Sequence, residues 1–381
     1  MHPEAPPIPF NLPTLVGSEL DYVRRAVESG HTSAAGPFSR RVSDLLREAH
    51  GAADVLLTTS CTDALEMAAM LLGCRPGDTV IVPSFTFVST ALAFVREGFR
   101  LVFADIEPMH LGLDPDHVAE LADENTRAVV AVHYAGIAAD VPGLVRAIGG
   151  RPIDLLEDNA HGLFATCGGR ILGTFGRLAT LSFHETKNFT CGEGGALILN
   201  REEDVARAHI LLHKGTNRRA FLLGQVDKYS WHDLGSSFGL SEINAAFLLA
   251  QLEARESILA RRRDVFDRYH RLLAPSAAEF GLALPQVPPG DLPGYHLYFV
   301  LLPDRPTRDR VLAHMRAAGV MASFHYVPLH SSPAGTRFAA RTTRCPVTDD
   351  VSGRLIRLPF YNSLTPPDIE RVVAALLDAL R

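Results

Sequence analysis

The order of apolar segments is the feature that most constrains how this chain can fold. Between residues 54 and 199, uninterrupted runs of Val, Ile and Leu alternate with longer stretches of helical period. The strand-like runs are DVLLTT, DTVIVPS, RLVFADI, RAVVAVHY, PIDLLEDN, LATLSF and GEGGALIL. Runs without a polar residue at every second position are typical of strands buried on both faces. The alternation therefore predicts an α/β fold with a doubly wound, mostly parallel sheet.

A change of pattern after residue 200 indicates a second, smaller domain. A long helix is predicted from Ser241 to Leu273, followed by the strands YHLYFVLL and MASFHYV with the helix TRDRVLAHMRAAG between them. With 381 residues, the chain is also longer than one typical domain. We predict a large domain over residues 1–250 and a small α+β domain over residues 251–381.

Capping signals mark two helix starts. Ser18 and Asp21 have the spacing of a capping box at the start of the first helix. Thr365 and Asp368 have the same spacing at the start of the last helix, with two prolines in its first turn. The first helix is expected to bury one apolar face, formed by Leu20, Val23 and Val27.

Charge and composition argue against several classes of protein. A net charge of -6 disfavours nucleic-acid binding, which depends on a basic surface. The five cysteines show no C-x-x-C spacing and the sixteen histidines no H-E-x-x-H spacing, so disulfide frameworks and metal sites lack support. No apolar stretch reaches the roughly 20 residues of a membrane span, and no secretory signal is visible. These features predict a cytoplasmic protein without metal, membrane or nucleic-acid partners.

Polar residues follow three of the predicted strands, at the end of the sheet where such folds bind ligands. The segment SCTD (60–63) opens a helix, where hydroxyls and free N–H groups suit a phosphate. Asp158 and His161 follow a later strand, and Ser182 and Lys187 follow the next. Taken singly, these residues are better explained as a helix cap, a turn aspartate and a solvated lysine.

Taken together, the same residues indicate pyridoxal 5′-phosphate (PLP) chemistry. A phosphate cradle, an aspartate for a pyridinium nitrogen and an interior lysine for an aldehyde are the groups that this cofactor needs. The carboxylate keeps the ring nitrogen protonated, and the protonated ring acts as an electron sink. The lysine holds the aldehyde covalently and, once released, moves the proton.

Eight segments carry a family resemblance: LLTTSCTDALEMAA, VPSFTFVSTA, VHYAG, LEDNAHG, LSFHETKN, KGTNR, GQVDKYSW and FHYVPLH. On these segments the chain resembles the DegT/StrS family of sugar-nucleotide aminotransferases, which are fold-type I PLP enzymes. Within that family it most resembles the dTDP-4-amino-4,6-dideoxygalactose transaminases. The resemblance covers essentially the whole chain. It implies an aspartate aminotransferase-like fold, PLP as the cofactor, and a homodimer with the active site at the interface.

The resemblance also implies roles for individual residues. Lys187 would bond the cofactor's aldehyde, Asp158 would pair with the pyridine nitrogen, and His161 would lie against the phenolic oxygen. Phe87 would stack on the ring. Three residues would hold the phosphate: Thr62, Asp63 through its backbone, and Ser182.

Two further features concern the substrate and the neighbouring subunit. Many relatives have an asparagine at the position of Gly239 that reaches the partner's phosphate, so here another group supplies that contact or one chain holds the phosphate alone. The basic segment HKGTNRRAFLLGQVDKYSW is explained residue by residue as a solvated loop. As a group, its cations are predicted to cover the diphosphate of a sugar nucleotide, with Lys214, Arg218 and Lys228 as the binding residues.

The function implied by the resemblance is transfer of an amino group from L-glutamate to C4 of dTDP-4-keto-6-deoxyglucose. The products would be a dTDP-4-amino-4,6-dideoxyhexose and 2-oxoglutarate, with the galacto or gluco configuration left open. The alternative is a related aminotransferase that acts at C3 or on a UDP or GDP sugar.

Three other classes are disfavoured. Sugar 3-dehydratases resemble these proteins but carry histidine in place of Lys187. A non-catalytic PLP-binding regulator would be expected to lose Asp158 or Lys187, and both are present. A NAD-linked enzyme would need a G-x-G-x-x-G turn after the first strand, which this chain lacks.

Overall fold

A mostly parallel sheet forms the centre of the structure, a computed structural model that describes residues 6–381. The strands are β1 (Asp54–Thr58), β2 (Thr79–Pro83), β3 (Arg100–Ala104), β4 (Thr126–Val132), β5 (Asp154–Asp158), β6 (Thr166–Cys167), β7 (Arg170–Ile171), β8 (Leu178–Ser182), β9 (Gly195–Leu199), β10 (Phe299–Leu301) and β11 (Leu355–Arg357). Seven of them form the central sheet in the order β1-β9-β8-β5-β4-β2-β3. Strand β9 is antiparallel to both of its neighbours, and the other pairings are parallel. The predicted fold class is confirmed.

Helices cover both faces of this sheet. They are α1 (Glu19–Glu28), α2 (Pro37–His50), α3 (Cys61–Leu72), α4 (Val88–Arg96), α5 (Pro115–Leu121), α6 (Val141–Ile148), α7 (Glu202–Leu212), α8 (Arg218–Leu222), α9 (Glu242–Glu253), α10 (Arg255–Ala277), α11 (Arg305–Ala317), α12 (Pro333–Phe338), α13 (Pro346–Arg354) and α14 (Pro366–Asp378). One face of the sheet packs against α3, α4 and α7. The other packs against α2 and α9 near β1 and against α5 and α6 near β3. Because both faces are covered, the strands carry buried apolar side chains on both of their sides.

A separate hydrophobic core forms in the C-terminal part of the chain. Helices α10, α11 and α14 pack around β10 and β11. The predicted single helix over residues 241–273 is wrong, because α9 ends and α10 begins at Ala254. Helix α9 packs on α1 and α2, whereas α10 packs on α14 in the second core. The junction itself, Glu253-Ala254-Arg255-Glu256, consists of residues with high helical propensity, so the sequence does not reveal the break. The domain division at residue 250 stays a prediction.

The predicted strand MASFHYV (321–327) is wrong as well. Among the residues that the structure describes, Ser323 alone in this segment pairs with a strand, through an isolated bridge to Arg357. The consecutive residues His325 and Tyr326 both face the same cavity. A regular strand points successive side chains to opposite faces, so this segment leaves the strand conformation to turn both rings inward.

The two predicted capping boxes have different outcomes. The box at Thr365 is confirmed, whereas Ser18 makes no side-chain cap hydrogen bond. The buried Glu19 holds the segment before the helix instead, since its carboxylate accepts the backbone N–H groups of Val16 at 2.7 Å and Gly17 at 2.8 Å. Leu20 is 78% exposed and Val27 is 52% exposed, so the predicted buried face of the first helix is wrong.

Within residues 6–381, no helix is both long and apolar enough to cross a membrane.

Candidate active site

A cavity of about 360 Å³ opens at the carboxyl ends of the parallel strands. Its walls come from the segments that follow β1, β2, β5 and β8, together with residues of the second core. Six of the predicted site residues line it: Thr62, Phe87, Asp158, His161, Ser182 and Lys187. This is the end of an open α/β sheet at which ligands bind.

Lys187 lies in the loop that joins β8 to β9, two antiparallel neighbours. The N–H of Phe183 donates to the carbonyl of Gly194 at 2.8 Å and closes the loop, and the N–H of Lys187 donates to His184 at 2.9 Å. Burial lowers the pKa of the Lys187 amine to about 8. About a tenth of the amine is then neutral at pH 7, the protonation state that a nucleophile requires.

Asp158 ends β5 and is 7% exposed. Its carboxylate accepts a hydrogen bond from the Thr90 hydroxyl at 2.7 Å and one from the N–H of Ala160 at 3.3 Å. Burial raises the pKa of Asp158, and these two hydrogen bonds oppose the rise. A carboxylate in such surroundings gains from a cationic partner, and a protonated pyridine nitrogen is one.

His161 belongs to a stacked pair of rings with His296, whose centroids lie 4.1 Å apart at an angle of 24°. The Nδ1 of His296 lies 3.0 Å from the Oδ1 of Asn188, and the amide nitrogen of Asn188 donates to the carbonyl of Gly294 at 2.5 Å. The Nδ1 of His161 is buried and has no hydrogen-bond partner among residues 6–381. Burial lowers the pKa of both histidines well below the ordinary value, so both rings are neutral.

Asn188 and His296 were not among the predicted site residues. Asn188 directly follows Lys187, which is the one sequence signal that points to it. His296 lies more than a hundred residues away, at the start of a segment predicted only as a strand. Their contact ties the lysine loop to the ring beside His161.

The predicted phosphate contacts lie at the start of α3. Ser60 is the N-cap of this helix, and its hydroxyl accepts the N–H of Asp63 at 3.0 Å. The Asp63 N–H is thus already engaged, and Asp63 does not line the cavity. The hydroxyl of Thr62 lies 2.8 Å from that of Ser89, and both residues line the cavity with Ser182. The helix-cap explanation holds for Ser60, while Thr62 and Ser182 present hydroxyls where an anion would meet the positive end of α3.

Phe87 lines the cavity, and its side chain is 58% exposed. Its nearest aromatic neighbour in the cavity wall is Tyr326, with ring centroids 6.5 Å apart at 47°. Tyr326 packs in turn against His325, and the phenol of Tyr134 lies 3.0 Å from the Nδ1 of His325. The ring of Phe87 is therefore available to pack against a planar ligand.

The predicted substrate residues lie away from the cavity of their own chain. Lys214, Arg218 and Lys228 are exposed, and none of them lines it. A Cβ atom on Gly239 would come 2.8 Å from the Cβ of Ala34, which is closer than such atoms approach. The asparagine that many relatives have at this position therefore does not fit here without a shift of the backbone.

Comparison with known proteins identifies the family. A profile of the DegT/DnrJ/EryC1/StrS aminotransferase family matches residues 13–377. The chain belongs to this family. It is 28% identical to the spore coat polysaccharide biosynthesis protein SpsC of Bacillus subtilis (strain 168), over 98% of this chain and 97% of SpsC. The crystal structure of the aminotransferase TlmJ from Streptoalloteichus hindustanus is similar with a TM-score of 0.90 and 30% identity, covering 98% of each chain. That of DesV from S. venezuelae is similar with a TM-score of 0.89 and 29% identity, covering 99% and 100%.

Family membership confirms the predicted enzyme class and cofactor. The protein is an aminotransferase, and the family uses PLP. The specific resemblance to dTDP-4-amino-4,6-dideoxygalactose transaminases stays a prediction, as do the roles of individual site residues.

Proposed function

We propose that the protein transfers the amino group of L-glutamate to C4 of dTDP-4-keto-6-deoxyglucose. The observation that carries the proposal is that three groups line one and the same cavity: the Lys187 amine, the buried Asp158 carboxylate and the start of α3. Family membership and the polysaccharide biosynthesis protein SpsC support a sugar as the acceptor. The products would be a dTDP-4-amino-4,6-dideoxyhexose and 2-oxoglutarate.

The residues of the cavity suit the groups of PLP. Asp158 offers a buried carboxylate to the ring nitrogen, and the Nδ1 of His161, which has no partner in the described part of the chain, suits the phenolic oxygen. Thr62 and Ser182 offer hydroxyls to the phosphate beside the positive end of α3, and Phe87 offers a face to the ring. When bound, PLP supplies an electron sink that weakens the C–H bond next to the reacting amine.

Lys187 would have two tasks: holding the cofactor in the resting enzyme and, once free, moving a proton between carbon atoms. A pKa of about 8 suits both tasks, because the amine both accepts and releases a proton near neutral pH. Asp158 would keep the ring nitrogen protonated throughout. His161, neutral because of its burial, would form a hydrogen bond with the phenolic oxygen without adding a charge.

The basic segment over residues 213–231 supports a homodimer in which each chain completes its partner's site. Lys214, Arg218 and Lys228 are exposed outside their own cavity, and a diphosphate is well met by several cations. The same segment exposes large apolar side chains, with Leu222 at 68% and Trp231 at 79%. Exposed apolar side chains of this size are typical of a protein interface. A cytoplasmic location is part of the proposal.

Product analysis tests the proposed function. PLP-loaded protein incubated with L-glutamate and dTDP-4-keto-6-deoxyglucose should yield a dTDP-sugar whose NMR spectrum places the new amine on C4. An amine on C3, or reaction only with a UDP or GDP sugar, would contradict the proposed substrate. If no keto-sugar nucleotide is aminated, the proposed function is wrong.

A further inference from the structure

Asn188 and His296 hold each other in one orientation beside the active-site cavity. The amide nitrogen of Asn188 donates to the carbonyl of Gly294 at 2.5 Å, so its Oδ1 is the atom that faces the Nδ1 of His296 at 3.0 Å. An amide oxygen only accepts hydrogen bonds, so this Nδ1 must carry the proton. Burial lowers the pKa of His296 well below its ordinary value, so the ring is neutral and its Nε2 carries no proton. The contact with Asn188 therefore selects one tautomer of His296.

The backbone of His296 is also fixed from both sides. Its N–H donates to the carbonyl of Ala135 at 3.1 Å, in the turn that follows β4. Its carbonyl accepts a hydrogen bond from a terminal nitrogen of Arg262 at 2.6 Å, and the Nε of the same arginine donates to the carbonyl of Tyr295 at 2.8 Å. Arg262 lies in α10 and is buried. With its backbone and its Nδ1 both bonded, the His296 ring has little freedom to tilt or slide.

The neighbouring ring of His161 lacks such bonds. Its Nδ1 has no hydrogen-bond partner in the part of the chain that the structure describes. The ring stacks on His296 with centroids 4.1 Å apart, and it meets Tyr134 edge to face with centroids 6.1 Å apart. The orientation of His161 therefore depends on packing, and of these two rings His296 is the closer support.

Basic groups face the two stacked rings: Lys187, His325, Arg262 and Arg357. After the larger effect of burial, these groups lower the pKa of His161, of His296 or of both. Neither ring is therefore charged near neutral pH. The support that His296 gives to His161 rests on shape and on a fixed hydrogen bond, and not on charge.

This support connects two groups of the active site. Asn188 directly follows Lys187 in the loop between β8 and β9, and through His296 it reaches the ring of His161. A ring that donates to the phenolic oxygen of the cofactor must keep one orientation, because a hydrogen bond weakens steeply when it is misaligned. We propose, resting on the place that the proposed function gives to His161, that Asn188 and His296 are positioning residues that hold the His161 ring in line with the phenolic oxygen.

Two measurements on PLP-loaded, full-length protein test the proposal. Nitrogen NMR of labelled histidine rings reports the tautomer and the charge of His296, whose signals are those missing from the spectrum of His296→Phe. The pH at which the visible absorption is half lost, called the absorption midpoint below, reports the surroundings of the phenolic oxygen. His296→Phe keeps a flat ring against His161 but loses the bond to Asn188, and Asn188→Ala removes that bond from the other side.

His270→Phe is the matched control. The ring of His270 also stacks on an aromatic ring, that of Phe266, with centroids 6.5 Å apart at 5°. Its Nδ1 also lies near a polar partner, 3.2 Å from the hydroxyl of Tyr298. Among the described residues that line the cavity, however, His270 is not included. The control therefore removes a similar ring and a similar contact at a distance from the site.

The NMR spectrum should show a neutral His296 ring with its proton on Nδ1 between about pH 6 and pH 9. In Asn188→Ala the same ring should lose this fixed tautomer, because the acceptor that selects it is gone. A proton on Nε2 of His296 in wild-type protein, or a charged ring near neutral pH, would overturn the proposal.

The absorption midpoint should rise when His161 loses its alignment. A donor to the phenolic oxygen favours the form in which that oxygen carries its full negative charge, so losing the donor raises the pH at which the cofactor gives up its proton. We expect His161→Phe to raise the midpoint by about 1 pH unit, the effect of one hydrogen bond, and His296→Phe and Asn188→Ala to raise it by about half as much.

A double variant shows whether His296 acts through His161. Adding His296→Phe to His161→Phe should not move the absorption midpoint further, and His270→Phe should match wild type. If His296→Phe and Asn188→Ala both leave the midpoint unchanged, or if His296→Phe has its full effect in the absence of His161, the proposal is wrong.

These measurements use no sugar, so they separate this inference from the proposed function. Midpoints that move as predicted in a protein that aminates no keto-sugar nucleotide would support the positioning role and contradict the proposed function. Unmoved midpoints in His296→Phe and Asn188→Ala of a protein that does aminate the sugar would contradict the positioning role alone. An unmoved midpoint in His161→Phe would contradict the placement of His161 and, with it, the positioning role.

Discussion

Replacing Asp158 with asparagine should slow transamination strongly while leaving the protein folded. The amide has the shape of the carboxylate, and the surrounding bonds can adapt to it. The Thr90 hydroxyl donates to Asp158 at 2.7 Å and lies 2.8 Å from the hydroxyl of Thr86. In the variant, Thr90 can turn its hydrogen toward Thr86 and accept from the new amide. The substitution therefore removes the charge with little other change.

The expected magnitude follows from the loss of that charge. Without a carboxylate beside it, the ring nitrogen of the cofactor loses its proton and the ring withdraws electrons less strongly. We expect kcat to fall by at least ~100-fold, the lower end of what a positioned acid or base contributes, or about 2.7 kcal/mol. Burial raises the pKa of Asp158, so its charged form at pH 7 is less favourable in the folded than in the unfolded protein. Removing the charge should leave the Tm of the cofactor-free protein equal to or above that of wild type.

Glu157→Gln is the matched control, one residue away in β5. Glu157 accepts backbone N–H groups of Gly173 at 2.7 Å and Gly176 at 2.8 Å, and it lies 3.1 Å from His133. These contacts lower its pKa, although burial alone would raise it, so its charged form stabilises the fold at pH 7. Glu157→Gln should therefore lower Tm and leave kcat per folded molecule nearly unchanged. Wild-type kcat in Asp158→Asn, with a slow Glu157→Gln, would refute the assignment of Asp158 to the ring nitrogen.

Three further predictions concern Lys187, the basic segment over residues 213–231 and Gly239. The rate at which PLP reconstitutes the cofactor-free protein should rise with pH and be half-maximal near pH 8, because the neutral Lys187 amine is the reacting form. A rate that rises only above pH 10 would contradict the lowered pKa of Lys187. Arg218→Ala and Lys228→Ala should each raise KM for the sugar nucleotide and leave the glutamate half-reaction unchanged, since glutamate has no diphosphate. Equal losses of rate in both half-reactions would indicate a structural role for these residues. Gly239→Asn should destabilise the protein by about 1–3 kcal/mol in thermal unfolding, because the Cβ of the new asparagine would meet the Cβ of Ala34 at 2.8 Å. Ala34→Gly in the same protein should restore part of the lost stability. A Gly239→Asn protein as stable as wild type would contradict the clash.

Much of the fold and part of the site could be predicted from the sequence, because both depend on local pattern. The strands of the central sheet are buried on both faces, so each appears as an apolar run. The residues after those runs meet at one edge of the sheet, which explains why Lys187, Asp158 and Thr62 line one cavity.

What could not be predicted depends on contacts between distant segments. The contact between Asn188 and His296 joins residues that are far apart in the chain, and no local pattern reports such a pairing. The break at Ala254 does not interrupt the helical propensity of its surroundings. Leu20 and Val27 have the spacing of a buried face but lie on the exposed side of α1, because the buried Glu19 and Ala26 orient the helix instead.

The absorption spectrum of PLP-loaded protein tests the central claim most directly. Wild-type protein should absorb in the visible because Lys187 is covalently bonded to the cofactor. Excess L-glutamate should abolish this absorption band, and the keto-sugar nucleotide should restore it. Lys187→Ala should show neither turnover nor this cycle, even where it retains the cofactor non-covalently. Turnover of Lys187→Ala at near the wild-type rate would contradict the role of Lys187 and, with it, the proposed chemistry.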